Sequence, residues 1–168
     1  AVILSESFDY PDGVLQRVSE EKWTGHSGTE DQANVSEGLL VLTSVESQDV
    51  NAALEGQPYS SGGEPFLFCG FTVRFTELPS RRGSYFAHFK NARSGFRGRI
   101  WAQSQEAEPG VYRLGISSSS GSAPAEMHEG NLILEVDYRV VCRLSVADSI
   151  ATLWVNPETE ESRGVSTD

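Results

Sequence analysis

The chain has little of what builds helical surfaces, membrane spans or metal centres. Only 2 of its 168 residues are lysine, although lysine is among the residues that fill exposed helix faces. No apolar run approaches the roughly 20 residues of a membrane-spanning helix. The densest windows, 39–42 and 132–134, are a few residues long, so no membrane insertion is expected. Positive charge is scarce, with 13 Lys and Arg against 24 Asp and Glu for a net −11. A general nucleic-acid binder is excluded on that ground, because each phosphate contact would meet an acidic field. The two cysteines, Cys69 and Cys142, form no C-x-x-C and have no nearby pair of histidines, which excludes the common zinc and redox spacings. The chain begins Ala1-Val2-Ile3-Leu4 without an initiator Met, as a chain does after signal-peptide cleavage. A secreted protein, extracellular or at the cell surface, is therefore expected.

What is present favours strands. There are 22 Ser and 16 Gly, the composition of a chain with many turns. Alternating or densely apolar runs bounded by Gly, Pro, Ser and Asp recur along its length, the pattern of an all-β sandwich. Ten strands are expected near 2–8, 38–43, 50–54, 65–76, 84–90, 97–103, 110–117, 132–136, 137–146 and 150–156. Loops are expected at 11–13, 60–63, 79–83 and 117–121. No window keeps a helical apolar period for three turns, so helix should amount to a turn or two. One β-sandwich domain over 1–157, followed by a polar tail over 158–168, fits this length.

Period-two phase assigns faces. Leu67, Cys69, Phe71, Val73 and Phe75 share one side of their strand, with Thr72 and Arg74 opposite. Tyr138, Val140, Cys142, Leu144 and Val146 share one side of theirs, with Arg139, Arg143 and Ser145 opposite. Both cysteines thus face the core, and they can form a disulfide if their strands are neighbours or face each other; otherwise they are two buried thiols. Arg97, Arg99, Trp101 and Gln103 share a side opposite Ile100 and Ala102. An indole platform with Arg and Gln donors suits a carbohydrate, and the surrounding cations suit an anionic or sulfated one. The same Trp101 could instead be core, with its neighbours paired across the strand. Six cations, Arg81, Arg82, Lys90, Arg93, Arg97 and Arg99, lie in one stretch free of Asp and Glu. The remainder carries −11 − 6 = −17.

Phe8-Asp9-Tyr10-Pro11-Asp12-Gly13, Trp23 with His26-Ser27-Gly28, Gly38-Leu39, Tyr85-Phe86-Ala87-His88-Phe89, Arg97-Gly98-Arg99 and Leu153-Trp154-Val155-Asn156-Pro157 are dispersed over nearly the whole chain. In these the chain resembles the concanavalin A-like, laminin-G-like jelly rolls of large secreted proteins in Verrucomicrobia and Planctomycetes. The resemblance implies two stacked antiparallel sheets and an extracellular setting, without implying one activity. Such modules usually continue past the Trp-Val-Asn-Pro hairpin to further closing strands. Here only 158–168 follows, so an open sheet edge or coverage by the tail is expected.

Catalytic patterns are incomplete. Glu135-Val136-Asp137 offers two members of a jelly-roll hydrolase pattern whose third carboxylate is missing. His88 with Arg97, Arg99 and Arg113 could imitate a lyase site, but Tyr85 falls on the opposite phase from His88. No cofactor is expected, with calcium the alternative through Asp9, Asp12 and Asp31, or Asp49 with Asn51. The leading expectation is a non-catalytic module that binds carbohydrate or an extracellular protein through Arg97, Arg99, Trp101, Gln103 and Arg113. A structural subunit or fragment of a cell-surface assembly, with self-association, is second. A polysaccharide hydrolase or lyase is third.

Overall fold

The computed structural model describes every residue except 61, 64, 65, 94, 119, 120, 122 and 168. The expected strand start at 65, parts of the loops at 60–63 and 117–121, and the last residue of the tail lie outside the described residues. The protein is all-β, with 40% strand and 2% helix, as the missing helical period requires. It forms two compact units, Ala1–Pro58 and Tyr59–Asp168.

The first unit holds β1 (Gly13–Val14), α1 (Leu15–Val18), β2 (Trp23–Ser27), β3 (Asn34–Ser36), β4 (Leu39–Val41) and β5 (Asp49–Ala52). They make a sheet of order β1-β3-β4 and a β2-β5 pair. Glu37 and Gly38 join β3 to β4 with φ of 51° and 72°, the two left-handed residues that a tight hairpin with the right-handed strand twist demands. Leu15, Ala33 and Val35 are its buried core, with Phe8, Tyr10, Trp23, Leu40 and Val50 against them.

The strand expected at 2–8 does not form. Phe8 takes φ 53°, and its N–H donates to Glu6 Oε1 at 2.8 Å, so the chain bends instead of extending. Glu6 Oε2 accepts from Tyr10 Oη at 2.9 Å and Trp23 Nε1 at 2.8 Å, and Lys22 Nζ stands 2.9 Å away. Burial alone would raise the Glu6 carboxyl, but the bonds from Trp23, Lys22, Phe8 and Tyr10 outweigh it and bring it down to about 2. A carboxyl lowered in the folded state contributes stability above its unfolded value of 4.5 and loses it as pH falls toward 2. Glu6→Gln is therefore expected to cost about 1–3 kcal/mol at neutral pH and to flatten the loss of stability between those pH values. Urea unfolding followed across that range measures both.

The second unit is a β-sandwich. It holds β6 (Phe66–Val73), β7 (Ser84–Lys90), β8 (Phe96–Gln103), β9 (Arg113–Ser117), β10 (Glu126–Met127), β11 (Tyr138–Ser145), β12 (Ala151–Val155) and β13 (Val165–Ser166). Two antiparallel sheets run in the orders β10-β9-β8-β7 and β13-β12-β11-β6. Ile100, Ala102, Leu114 and Ile116 of the first sheet pack with Val140, Cys142, Leu144, Ala151 and Leu153 of the second in one buried core. The inward phases expected for β6 and β11 hold. The strand expected at 132–136 shrinks to one bridge between Leu132 and Tyr112, because Glu135 turns left-handed at φ 61°.

The tail over 158–168 is more than a polar appendix. Val165 pairs with Leu153 and Ser166 with Thr152, and Thr167 N–H donates to the Ala151 carbonyl at 2.9 Å. Of the two expectations for this edge, an open one or one covered by the tail, the second is what forms, with β13 beside β12. Val165 supplies the apolar contact with the core. Gly164 permits the approach, since a Cβ there would stand 2.7 Å from Trp154 Nε1.

Candidate functional site

The face expected from the Arg97 strand is divided by a bulge. Gly98 takes φ 56°, and the register jumps from Phe89↔Arg97 to Ala87↔Ile100, so one extra residue enters β8 and resets its phase. Arg97 lies opposite Phe89, which packs on the core, and so leaves the face of Arg99, Trp101 and Gln103.

Those three residues are enclosed. Trp101 is 3% exposed, Arg99 6% and Gln103 6%. Trp101 Nε1 donates to Ser117 Oγ at 2.9 Å, and the ring meets Tyr85 edge-on at 5.4 Å. The Arg99 guanidinium stands 5.0 Å from the Tyr85 ring and 5.2 Å from the Trp101 ring. Arg99 Nη2 donates to the Gly121 carbonyl at 3.1 Å, while its buried Nε meets no acceptor among the described residues. Burial pulls this guanidinium below its ordinary value. Trp101 is therefore a core indole stacked by a cation, with neither an open ring face nor a free donor.

Gly115 is closely packed on the same sheet. It lies opposite Trp101 in the register, and a Cβ there would stand 2.5 Å from Met127 Sδ, 2.8 Å from Pro124 Cβ and 2.9 Å from the Glu126 carbonyl. The absent side chain leaves room for Pro124 and the Met127 side chain as β10 pairs with β9. Gly115→Ala is expected to push that segment away at a cost of about 1–3 kcal/mol, read as a lowered melting temperature and faster amide exchange at 124–127.

The remaining candidates are tied into the fold or stand apart. Arg113 Nε donates to Asn131 Oδ1 at 2.8 Å. His88 stacks on Phe96 at 4.1 Å. Asp137 accepts from Arg74 Nε at 2.7 Å, and Glu135 sits at the turn before it. Asp31 pairs with Arg17, Asp49 accepts from Ser27 Oγ, and Asp12 Oδ1 caps the Glu37 N–H at 2.8 Å. Among the described residues no group of three or more His, Cys, Asp or Glu side chains converges as a metal site would require. Cys69 and Cys142 lie directly opposite each other on β6 and β11 as free thiols.

An open face lies on the outside of the other sheet. Cross-strand register aligns Phe68, Arg143 and Thr152 in one row and Gly70, Val141 and Trp154 in the next. Phe66 stands opposite Ser145, and Thr72 opposite Arg139. Phe66 is 44% exposed and Phe68 64%. The Arg143 guanidinium spans this face, 5.1 Å from the Phe66 ring and 5.7 Å from the Trp154 ring, and is positioned by a 3.2 Å bond from Nη2 to Thr152 Oγ1. Trp154 is half-buried, held at its edge by a 2.9 Å bond from Nε1 to the Ser162 carbonyl. Gly70 leaves room beside Val141. Arg143 stands at the centre of this face and Arg139 toward one end, while at its margins Asp137 pairs with Arg74 and Asp148 Oδ2 accepts from Ser145 Oγ at 3.0 Å.

Sequence reasoning placed Arg139 and Arg143 outward but gave them no role. The missed signal was the other half of the same phase: with Leu67 and Cys69 inward, Phe66 and Phe68 had to point out. Trp154, two residues along β12 from Thr152, shares their face. No protein-family model matches the chain, and no curated protein or solved structure matches it.

Proposed function

We propose that this chain is a secreted, non-catalytic module that binds an anionic carbohydrate on the outer face of β6, β11 and β12. The observation that carries the reading is the Phe66–Arg143–Trp154 cluster, in which a cation is held between two partly exposed rings. Aromatic surface fits the apolar faces of sugar rings, and a planar guanidinium donates in pairs to sulfate or carboxylate. The antiparallel sandwich and the resemblance together support the jelly-roll, concanavalin A-like class. Arg97 and Arg113 are partly exposed but lie on β8 and β9 of the other sheet, apart from this face.

The structural-subunit reading rested on a missing closing strand together with segregated charge; β13 occupies the edge of β12, so the charge segregation alone still supports it. The hydrolase reading has Asp137 engaged with Arg74. Titration with dextran sulfate, and with uncharged dextran as control, tests the proposal through tryptophan fluorescence. Saturable binding of the sulfated polymer, weakened as salt screens the arginines, is expected. Failure to bind any sulfated or uronic polysaccharide at low salt would end it.

A further inference from the structure

Cys69 and Cys142 are register partners on adjacent strands. The Asn156 N–H bonds the Arg139 carbonyl and the Ser145 N–H the Ile150 carbonyl, so the odd residues of β11 bond toward β12. Since backbone groups alternate sides along a strand, the even residues, Cys142 among them, bond toward β6. Cys69 and Cys142 are then a hydrogen-bonded pair, whose Cα atoms lie about 5.5 Å apart, a common separation for a disulfide. Their Cβ atoms start about 4.5–5.5 Å apart, against roughly 3.8 Å in a disulfide, so closure must draw the strands together. A bond made under such strain is easily reduced.

We propose that Cys69 and Cys142 form a reversible cross-strand tether, closed by exchange with an external disulfide, that pins the edge strand β6 to β11. Among the described residues that strand is bonded on one side only, and it carries the exposed Phe66 and Phe68. The Cys142 thiol has only a weak 4.0 Å contact with the Gly98 carbonyl to give up. Burial pushes both thiols up, and Cys142 reaches about 12 with Cys69 adding to it, so exchange is slow and begins at the more exposed Cys69. With oxidised glutathione, the Cys69 thiolate attacks one sulfur and releases one glutathione thiolate. The Cys142 thiolate then attacks the Cys69 sulfur of the mixed disulfide and releases the second. Two protein thiols become one disulfide, the reagent is reduced to two thiols, and the two protons pass to them.

The effect on ligand binding rests on the proposed function; the tether itself does not. The full chain is equilibrated in buffers of varied oxidised-to-reduced glutathione ratio, denatured, alkylated and peptide-mapped. Both thiols should disappear together into a Cys69–Cys142 link and return on reduction. Amide exchange over 66–73 should slow at least about tenfold in the oxidised form, a response that Cys142→Ser removes. Two thiols that persist in excess oxidised glutathione, a mixed disulfide as the end product, or a link that leaves exchange over 66–73 unchanged would each overturn the tether. A link that slows exchange supports it even when neither form binds dextran sulfate, an outcome that would remove the carbohydrate reading alone.

Discussion

Arg143→Ala is expected to weaken dextran sulfate binding by about ten- to a hundredfold, the loss of one charge-assisted bidentate contact of roughly 1.5–3 kcal/mol. Arg143 stacks with Phe66 and Trp154 and bonds Thr152, so it is both oriented and only partly exposed. Trp154→Ala should weaken binding by roughly tenfold. The double variant should lose less than the two effects combined, because removing Trp154 also loosens Arg143. Arg143→Lys keeps the charge but loses the planar fork, and should fall between wild type and Arg143→Ala. Each variant retains the inner face of its strand, so far-UV circular dichroism should match wild type. A folded Arg143→Ala protein with undiminished binding would place the ligand elsewhere.

Trp101→Ala is expected to act on stability instead. Removing an indole that is 3% exposed leaves a large cavity, at a cost of about 3–5 kcal/mol. It also leaves the Arg99 guanidinium with one ring where it had two and frees the Ser117 hydroxyl of its donor. Trp101→Phe keeps most of the volume and should cost about 1–3 kcal/mol for the lost hydrogen bond. Chemical denaturation reads both, and dextran sulfate affinity per folded molecule should stay at the wild-type value. Near-normal stability in Trp101→Ala combined with lost binding would instead make Trp101 the sugar platform that its strand phase first suggested.

The contrast between those two tryptophans shows where the sequence stops. Alternation by itself determined the all-β class and the inward sides of β6 and β11, hence the core positions of Cys69 and Cys142, because a strand's side chains alternate whatever lies beside it. It could not decide whether the second side of a strand meets water. Trp101 and Arg99 read as a displayed polar face, but Tyr85 and Ser117 enclose the indole and Gly121 takes the guanidinium, contacts between positions distant in sequence. Alternation also fails wherever a residue is inserted, and Gly98 moved Arg97 off the face with one left-handed residue. The open face was half legible, since Arg139, Arg143, Phe66 and Phe68 follow from phase within single strands. Its assembly was not, because the order β13-β12-β11-β6 brings Trp154 across from residues more than eighty positions earlier. Strand order comes from tertiary packing, in which Val165 of the tail and Leu153 of β12 complete a common core, and no local pattern encodes it.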